Sequence, residues 1–539
     1  AAGLAAAFGS GAMTNAIDVD QKADLVLMTG INMPANYPVG ADRIKQRVTS
    51  GKLKLLYFDP RELEMAEHAD LYAKPKMGTE VAWLNAMMHV IINEDLYDHE
   101  FVAERTEGFE ELKRLVSDYT PEKAEELTGV PKEKIIEAAR LYAQADRAAI
   151  IYGMGLAEHS NGTDNVSSVC NLALLTGNLG KEGAGVNPIA KQNNGSGAGD
   201  MGNVPIAFPG AQPVSDPEIV KKFEQAWGTT LSDQPGKMFT DMTLTKGTVK
   251  GLYIMGSNPM RSDPNLNQVR DVFEAMDFVV VQDMFMSQTA EMADVVLPAS
   301  SFAEKDGTFV NGARMLQRVR QAIEPVGNSL PDWKIIYRLG ERLGLQMGYK
   351  HPSEIMDEIA SLTPPYGGVT YDRLEHGPLT LPCPTKDHPG TKYLWKEKFN
   401  TPSGKGIFFP KHYRELPETP DKEYPFLLAT GKLLCHMQTG SYTQQSRVLS
   451  SMAPRDILEI SPQDGKALEL KDGDTVRVIS RRGQISLPVT IKEDVDQGTV
   501  FTTFFSLDVP VNEVTLDTLD PVAKVPELKV CAVKLEKVA

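Results

Sequence analysis

Two short constellations in this sequence carry residue types that can hold a nucleotide. Gly30-Ile31-Asn32 closes one short apolar run and Asp59-Pro60-Arg61 closes the next. Much later, Gly256-Ser257-Asn258-Pro259 closes an apolar run and Gln282-Asp283 closes the one after it. Asp59 follows Asn32 by 27 residues and Asp283 follows Asn258 by 25, so one layout occurs twice. A glycine at a strand tip lets backbone N–H groups approach phosphate, while Asn and Asp side chains match the hydrogen-bonding edges of ribose and base. Glycines and aspartates at strand ends are also ordinary turn residues. It is the repetition that points to two nucleotide sites. Neither copy contains Gly-x-Gly-x-x-Gly, so an ordinary nicotinamide-binding unit is not indicated. A third feature is the run 187–212, glycine-rich and almost free of periodicity, with Gln192-Asn193-Asn194 near its start. It carries too little charge and too many apolar residues for a disordered segment. It reads as an ordered loop whose bare backbone approaches a large polar ligand.

The elements that must position these residues follow from the apolar runs. The stretch 24–29 (Asp-Leu-Val-Leu-Met-Thr) reads as a buried parallel strand turning at Gly30. A helix is expected over 40–50 and a second strand from Leu53 to Phe58. That is a strand–helix–strand unit with phosphate at the first tip and an acid at the second. The later copy repeats it with strands at 252–255 and 278–281 around a helix over 264–275. Helices expected at 80–94, 108–117, 121–127, 131–144 and 163–176 are packing elements, and Pro131 marks the start of one of them. Residues 351–422 show no clean period and read as an irregular connector. Short strands at 456–460, 475–480, 484–491 and 498–505, separated by tight turns such as Asp472-Gly473-Asp474, indicate a C-terminal β-barrel.

A chain of 539 residues is too long for one core. A formal net charge of −16 argues against nucleic acid as a partner, since phosphate backbones call for a basic surface. No apolar run is long enough to span a bilayer. Cys170, Cys383, Cys435 and Cys531 are far apart, which disfavours zinc or an iron–sulfur cluster held by this chain alone, and also a disulfide scaffold. His436 has no second histidine nearby to make a metal site.

Ordered motifs along the whole chain resemble the bis-pterin molybdenum and tungsten oxidoreductases, and within them the formate dehydrogenase catalytic (alpha) subunits. They include Phe8-Gly-Ser-Gly-Ala-Met-Thr-Asn15, Leu175-Thr-Gly-Asn-Leu-Gly180, Gln192-Asn-Asn with Asp200-Met-Gly202, and Gly256-Ser-Asn-Pro259. Ala293-Asp-Val-Val-Leu-Pro298, Glu304-Lys-Asp-Gly-Thr-Phe309, Asp520-Pro521 and Lys529-Val-Cys-Ala-Val533 continue the series. The resemblance implies an α/β fold of two dinucleotide-binding domains followed by a double-psi β-barrel. The expected boundaries are 1–190, 191–345, a connector over 346–422, and the barrel over 423–539. It implies two molybdopterin guanine dinucleotides and one molybdenum or tungsten ion. Gly30, Asn32, Asp59, Arg61, Gly78, Thr79 and Glu80 would line one guanosine arm, although the family usually has Asp where Glu80 stands. Gly256, Asn258, Pro259, Gln282 and Asp283 would line the other. Met154, Gly155, Gln192 and Asn193 are assigned to the cofactor as well. Thr430, Gly431, His436, Thr439, Gly440, Asn512 and Lys529 would close over the pterins from the barrel.

The expected activity is oxidation of formate to carbon dioxide, or the reverse, with electrons leaving to iron–sulfur subunits. In the family a Cys or selenocysteine metal ligand precedes a Ser-Val-Ala-Gly-Leu-like stretch, which here begins at Ala1-Ala2-Gly3-Leu4. The metal ligand and an iron–sulfur domain are therefore expected upstream of Ala1, past a selenocysteine codon read as a stop, and this chain alone is expected to be inactive. A gene without a TGA or Cys codon just upstream of Ala1 would remove that expectation. A second departure concerns substrate. The family's Arg-Gly-Gln-Asn-Asn loop, whose Arg orients formate, reads Ala190-Lys191-Gln192-Asn193-Asn194 here. Lys191 supplies a cation from the neighbouring position, as a point charge and not a bidentate fork. A related oxidoreductase acting on another small anion is the alternative that Ala190 favours. A cofactor-free scaffold, like the large subunit of respiratory complex I, is the alternative that both Gly-x-Asn motifs oppose. Few cysteines and no membrane span make the cytoplasm the expected compartment.

Overall fold

Strand β1 (Leu25–Thr29) is buried at every position, as a strand covered on both faces must be. The computed structural model describes residues 1–16, 19–189 and 192–538. In it β1 lies at the centre of a five-stranded, all-parallel sheet. Its neighbours are β2 (Lys54–Phe58) and then β3 (Leu71–Ala73) on one side, and β4 (Ala148–Tyr152) and then β5 (Gly185–Pro188) on the other. Thr29 pairs with both Phe58 and Tyr152, so the C-terminal tips of β1, β2 and β4 end level. The strand order reverses between β1 and β4. That switch point leaves a crevice beyond the strand ends, where open α/β sheets bind ligands.

Helix α1 (Pro38–Thr49) joins β1 to β2 with a proline in its first turn, and Ile44 and Ala41 turn inward. Helix α2 (Glu80–Asn93) is buried almost all round and packs against α3 (Lys132–Gln144) and α4 (Gly162–Leu175). Its sequence is accordingly apolar on every face, with Trp83 stacked on Phe58 at 4.4 Å between ring centroids.

The chain divides into two compact units. Ala1–Lys191, Ser262–Asn267 and Tyr393–Ala539 make up one, and Gln192–Arg261 with Gln268–Lys392 the other. The second unit is built on a three-stranded parallel sheet in which β7 (Phe278–Asp283) pairs with β6 (Gly251–Met255) and β8 (Val295–Pro298). Part of the glycine-rich run, Gly195–Asp200, forms a short helix. It is tied down where the Gly210 amide donates to Asp200 O at 2.6 Å and Tyr366 Oη donates to Asp200 Oδ2 at 2.6 Å.

The stretch expected to be irregular contains helices Pro352–Leu362 and Tyr371–Glu375. The first was not legible because its cap is unusual: the His351 imidazole accepts from the Ser353 amide at 3.1 Å. Only Met356 of that helix is fully buried, so the apolar stripe is weak.

The first unit ends in a closed six-stranded barrel. Its strands are β9 (Phe426–Gly431), β10 (Leu458–Ile460), β11 (Thr475–Ile479), β12 (Gln484–Ile491), β13 (Thr499–Thr503) and β14 (Val530–Lys537). The spatial order is β9-β13-β10-β12-β11-β14, closed by antiparallel pairing of β14 with β9. Leu428, Leu458, Val476, Leu487, Val500 and Val533 fill its interior, following the period-two alternation of the strands.

Candidate functional site

A cleft of about 950 Å³, its open mouth included, lies at the tips of β1, β2 and β4 in the first unit. Its floor is the turn after β1. Gly30 has φ +58°, and a Cβ there would sit 2.4 Å from the Leu156 amide nitrogen and 2.7 Å from the Gly155 carbonyl carbon. Only glycine allows this approach, which brings the Gly153–Gly155 turn after β4 against the β1 tip. The Gly155 amide completes the contact by donating to Gly30 O at 2.9 Å. The Asn32 side chain accepts from the Ala35 amide at 3.3 Å and caps the short helix Met33–Asn36.

The second wall comes from the β2 tip. Asp59 is 5% exposed and accepts from the Arg61 amide at 3.0 Å. Burial pushes its carboxyl up to about 6, against the backbone hydrogen bond and the positive charge of Arg61. The Arg61 guanidinium is held by Glu459 at 2.8 Å and lies 3.4 Å from the centroid of the Phe501 ring. Both partners belong to the barrel, on β10 and β13. Arg61 therefore presents a fixed cationic plane.

The remaining polar groups converge from three elements. Glu80 opens α2, is 6% exposed, and its Oε2 has no hydrogen-bond partner. Burial raises its carboxyl, with the nearby His159 opposing. A buried carboxyl oxygen without a partner, facing a cleft, leaves a desolvation cost that a ligand donor would remove. From the barrel side, Lys529 Nζ pairs with Glu158 Oε2 at 2.9 Å. Thr430 Oγ1 donates to Leu528 O at 2.6 Å, and a Cβ on Gly431 would meet the Phe501 ring at 2.5 Å.

Of the residues singled out in the sequence, Gly30, Asn32, Asp59, Arg61, Glu80, Met154, Gly155, Thr430, Gly431 and Lys529 line this one cleft. Gly78 and Thr79 precede α2, and Thr79 Oγ1 donates to Lys76 O at 2.6 Å. His436, Thr439, Gly440 and Asn512 do not line it. His436 stacks on Phe505 at 4.3 Å between ring centroids and is bonded to Thr443 and Ala453, which makes it a packed pin of the barrel domain. Thr439 bonds to Ser441, and the Asn512 carbonyl oxygen accepts from Thr515 at 3.2 Å. His159, Glu158, Lys432 and Phe501 belong to the cleft or its wall and were not singled out. His159 stands only four residues past Gly155, but its partner Glu527 is 368 residues away, a pairing that no local pattern reveals.

In the second unit the repeated layout folds alike. Gly256 has φ +59° and its amide donates to Gln282 O at 2.9 Å, joining the tips of β6 and β7. Asn258 Oδ1 accepts from Thr289 Oγ1 at 2.7 Å, and Pro259 beside it is buried. Gln282 donates to Asp332 at 2.7 Å and accepts from Tyr253. Asp283 is buried and accepts from the Met284 amide at 2.6 Å. Gln192 and Asn193 are exposed, while Ala190 and Lys191 lie outside the described residues. Among the described residues, no three of His, Cys, Asp and Glu gather into a metal site, and no helix is long and apolar enough to cross a membrane.

Residues 4–342 match the family profile described as Molybdopterin oxidoreductase, and residues 426–532 match the Molydopterin dinucleotide binding domain. The chain is 46% identical over 539 residues to the F420-dependent formate dehydrogenase subunit alpha of Methanocaldococcus jannaschii, covering 99% of this chain and 80% of that one. It is 41% identical over 545 residues to formate dehydrogenase H of Escherichia coli, covering 100% of this chain and 76% of that one. Among solved structures it is similar to acetylene hydratase from Pelobacter acetylenicus, with a TM-score of 0.80 at 22% identity, over 100% of this chain and 80% of the other. That last likeness is one of fold.

Proposed function

The chain belongs to the molybdopterin oxidoreductase family, and from that membership we propose that it is the cofactor-holding body of a molybdenum- or tungsten-dependent formate dehydrogenase. The observation that carries the reading is the cleft at the β1, β2 and β4 tips, set beside relatives named as formate dehydrogenases. Its residues fit one arm of a pterin guanine dinucleotide. The glycine turns at Gly30 and Gly155 would offer backbone N–H groups to phosphate at the cleft floor, and Asp59 has acceptor capacity for the N1–H and amino group of a guanine. The unpaired Glu80 oxygen and the Lys529 ammonium fit the polar remainder. Gly256, Asn258, Pro259, Gln282 and Asp283 are proposed for a second arm. Gly78, Thr79, Gln192, Asn193, His436, Thr439, Gly440 and Asn512 stay part of the proposed cofactor surroundings on sequence grounds.

When bound, the metal–pterin group supplies a two-electron sink for conversion of formate to carbon dioxide and a proton. The protein's share is binding and orientation. Asp59 and Arg61 fix one end of the ligand, the glycine turns fix its phosphates, and Glu80 and Lys529 neutralise or complete its polar edge. Lys191 is proposed as the cation for the substrate carboxylate, beside an alanine where relatives carry a bidentate arginine. Ala190 favours a second reading, a related oxidoreductase working on another small anion. Iron–sulfur electron-transfer partners and a cytoplasmic setting complete the proposal.

The test is analysis of the full-length protein isolated from its natural host. Guanine dinucleotide, measured as GMP released by acid, together with molybdenum or tungsten and formate-dependent dye reduction, is the expected result. Cofactor without formate-dependent reduction would favour the second reading. Absence of both pterin and metal would overturn the proposal.

A further inference from the structure

His159 sits under the cleft with both ring nitrogens occupied. Nδ1 lies 2.9 Å from Glu527 Oε1 and Nε2 lies 2.9 Å from the carbonyl oxygen of Gly155. The Gly155 carbonyl can only accept, and Glu527, held ionised by the ring beside it, accepts as well, so both ring nitrogens donate and the ring is an imidazolium. The side chains are 3% and 0% exposed, so the pair is closed to water. Glu527 Oε2 accepts from the Ser160 amide at 2.8 Å, and the Glu527 amide donates to Thr518 O at 2.9 Å. An unbroken chain of contacts therefore runs from the segment before β14, through Glu527 and His159, to Gly155 and on to Gly30 at the β1 tip.

We propose that His159 is a positioning residue for the dinucleotide: as an imidazolium clamped by Glu527 it fixes the Gly153–Gly155 turn, and its charge keeps the ligand from leaving. The inference rests on the reading that this cleft holds a dinucleotide. The charges facing the imidazolium are Glu527 and, from the start of α2, Glu80. Lys529 and Glu158 balance one another at the same wall. Burial acts to lower the His159 basicity, but the charge and hydrogen bond of Glu527 outweigh it and push the ring up to about 9. Burial also acts to raise the Glu527 carboxyl, yet the imidazolium holds it below the usual carboxylate range. When the ring loses its proton, the Gly155 contact loses its charge assistance and an uncompensated carboxylate remains beside the ligand's phosphates.

The experiment follows dinucleotide loss from the protein as isolated, timed by gel filtration and GMP release, from mildly acidic to strongly alkaline buffer. The wild-type loss rate is expected to stay flat and then rise about tenfold as the pH passes about 9, the difference between a charge-assisted and a neutral hydrogen bond. Glu527→Gln removes the group that keeps the ring protonated, so the same rise should move to lower pH. His159→Gln should lose ligand fast at every pH, with no step. A wild-type profile without the rise, or a rise that Glu527→Gln leaves in place, would overturn the inference even if the His159 variant fails to fold. Protein isolated with no guanine at all would instead remove the dinucleotide reading on which it rests.

Discussion

Asp59 gives the sharpest test of the cleft, because the structure fixes both a sign and a size. Its buried carboxyl is pushed up to about 6, whereas recognition of a guanine needs the ionised form. Affinity for a guanine nucleotide should therefore fall as pH drops through about 6. About ten in eleven Asp59 side chains are ionised one unit above that point and about one in eleven one unit below it, so binding should weaken about tenfold, or ~1.4 kcal/mol. Calorimetric titration of the cofactor-depleted chain with GDP measures this, with ADP as the control that cannot offer the same pair of donors. Asp59→Asn should abolish the pH slope and cost about 1.5–3 kcal/mol, the worth of hydrogen bonds to a charged group. The empty protein should respond in the opposite direction. A carboxyl whose folded-state value is raised favours folding at low pH and opposes it increasingly as pH rises from about 4 through about 6. Asp59→Asn should thus stabilise the empty chain at neutral pH by at most about 3 kcal/mol, seen as a higher Tm. A GDP affinity that is flat across that range, or equal to that for ADP, would refute the assignment of Asp59 to guanine.

Three further outcomes follow from the same geometry. Gly30→Ala places a Cβ 2.4 Å from a backbone nitrogen at φ +58°, so it should cost several kcal/mol, about 1 of it from the left-handed backbone alone, and yield protein with little bound guanine by GMP assay. Arg61→Ala removes the contact with Phe501 and leaves Glu459 without its shortest ion-pair partner. It should lower stability by about 1–2 kcal/mol in denaturant titration and weaken GDP binding in the same chain. Ala190→Arg should lower the KM for formate in dye reduction, and Lys191→Ala should raise it. No change in either would indicate that this loop does not meet the substrate carboxylate.

Much of the scaffold was legible because parallel strands buried on both faces leave uninterrupted apolar runs, and β1, β2 and β7 read that way or end at a glycine or an acid. The Gly30–Asn32 and Gly256–Asn258 tips were legible for a related reason. A chain that must turn through the left-handed region at the strand end leaves a glycine there in both copies. The groups that close the cleft were less legible on residue pattern alone. Arg61 meets Glu459 across 398 residues and His159 meets Glu527 across 368, and such pairs leave no periodic trace.

Resemblance reached part of that gap. It named Thr430, Gly431 and Lys529, which meet the cleft because β9 and β14 pair edge to edge and bring their leading and trailing segments to one end of the barrel. It named His436 equally, and that ring lies outside this cleft, stacked on Phe505 and bonded to Thr443 and Ala453. A second criterion is unspent hydrogen-bonding capacity. Glu80 keeps an oxygen without a partner and Asp59 keeps its charge at a cost, and each is a deficit that a bound ligand would remove. Sequence patterns show which side chains can bind. Only the folded arrangement shows where such capacity meets a cleft, and Glu80 and Asp59 both line the one at the strand tips of the first sheet.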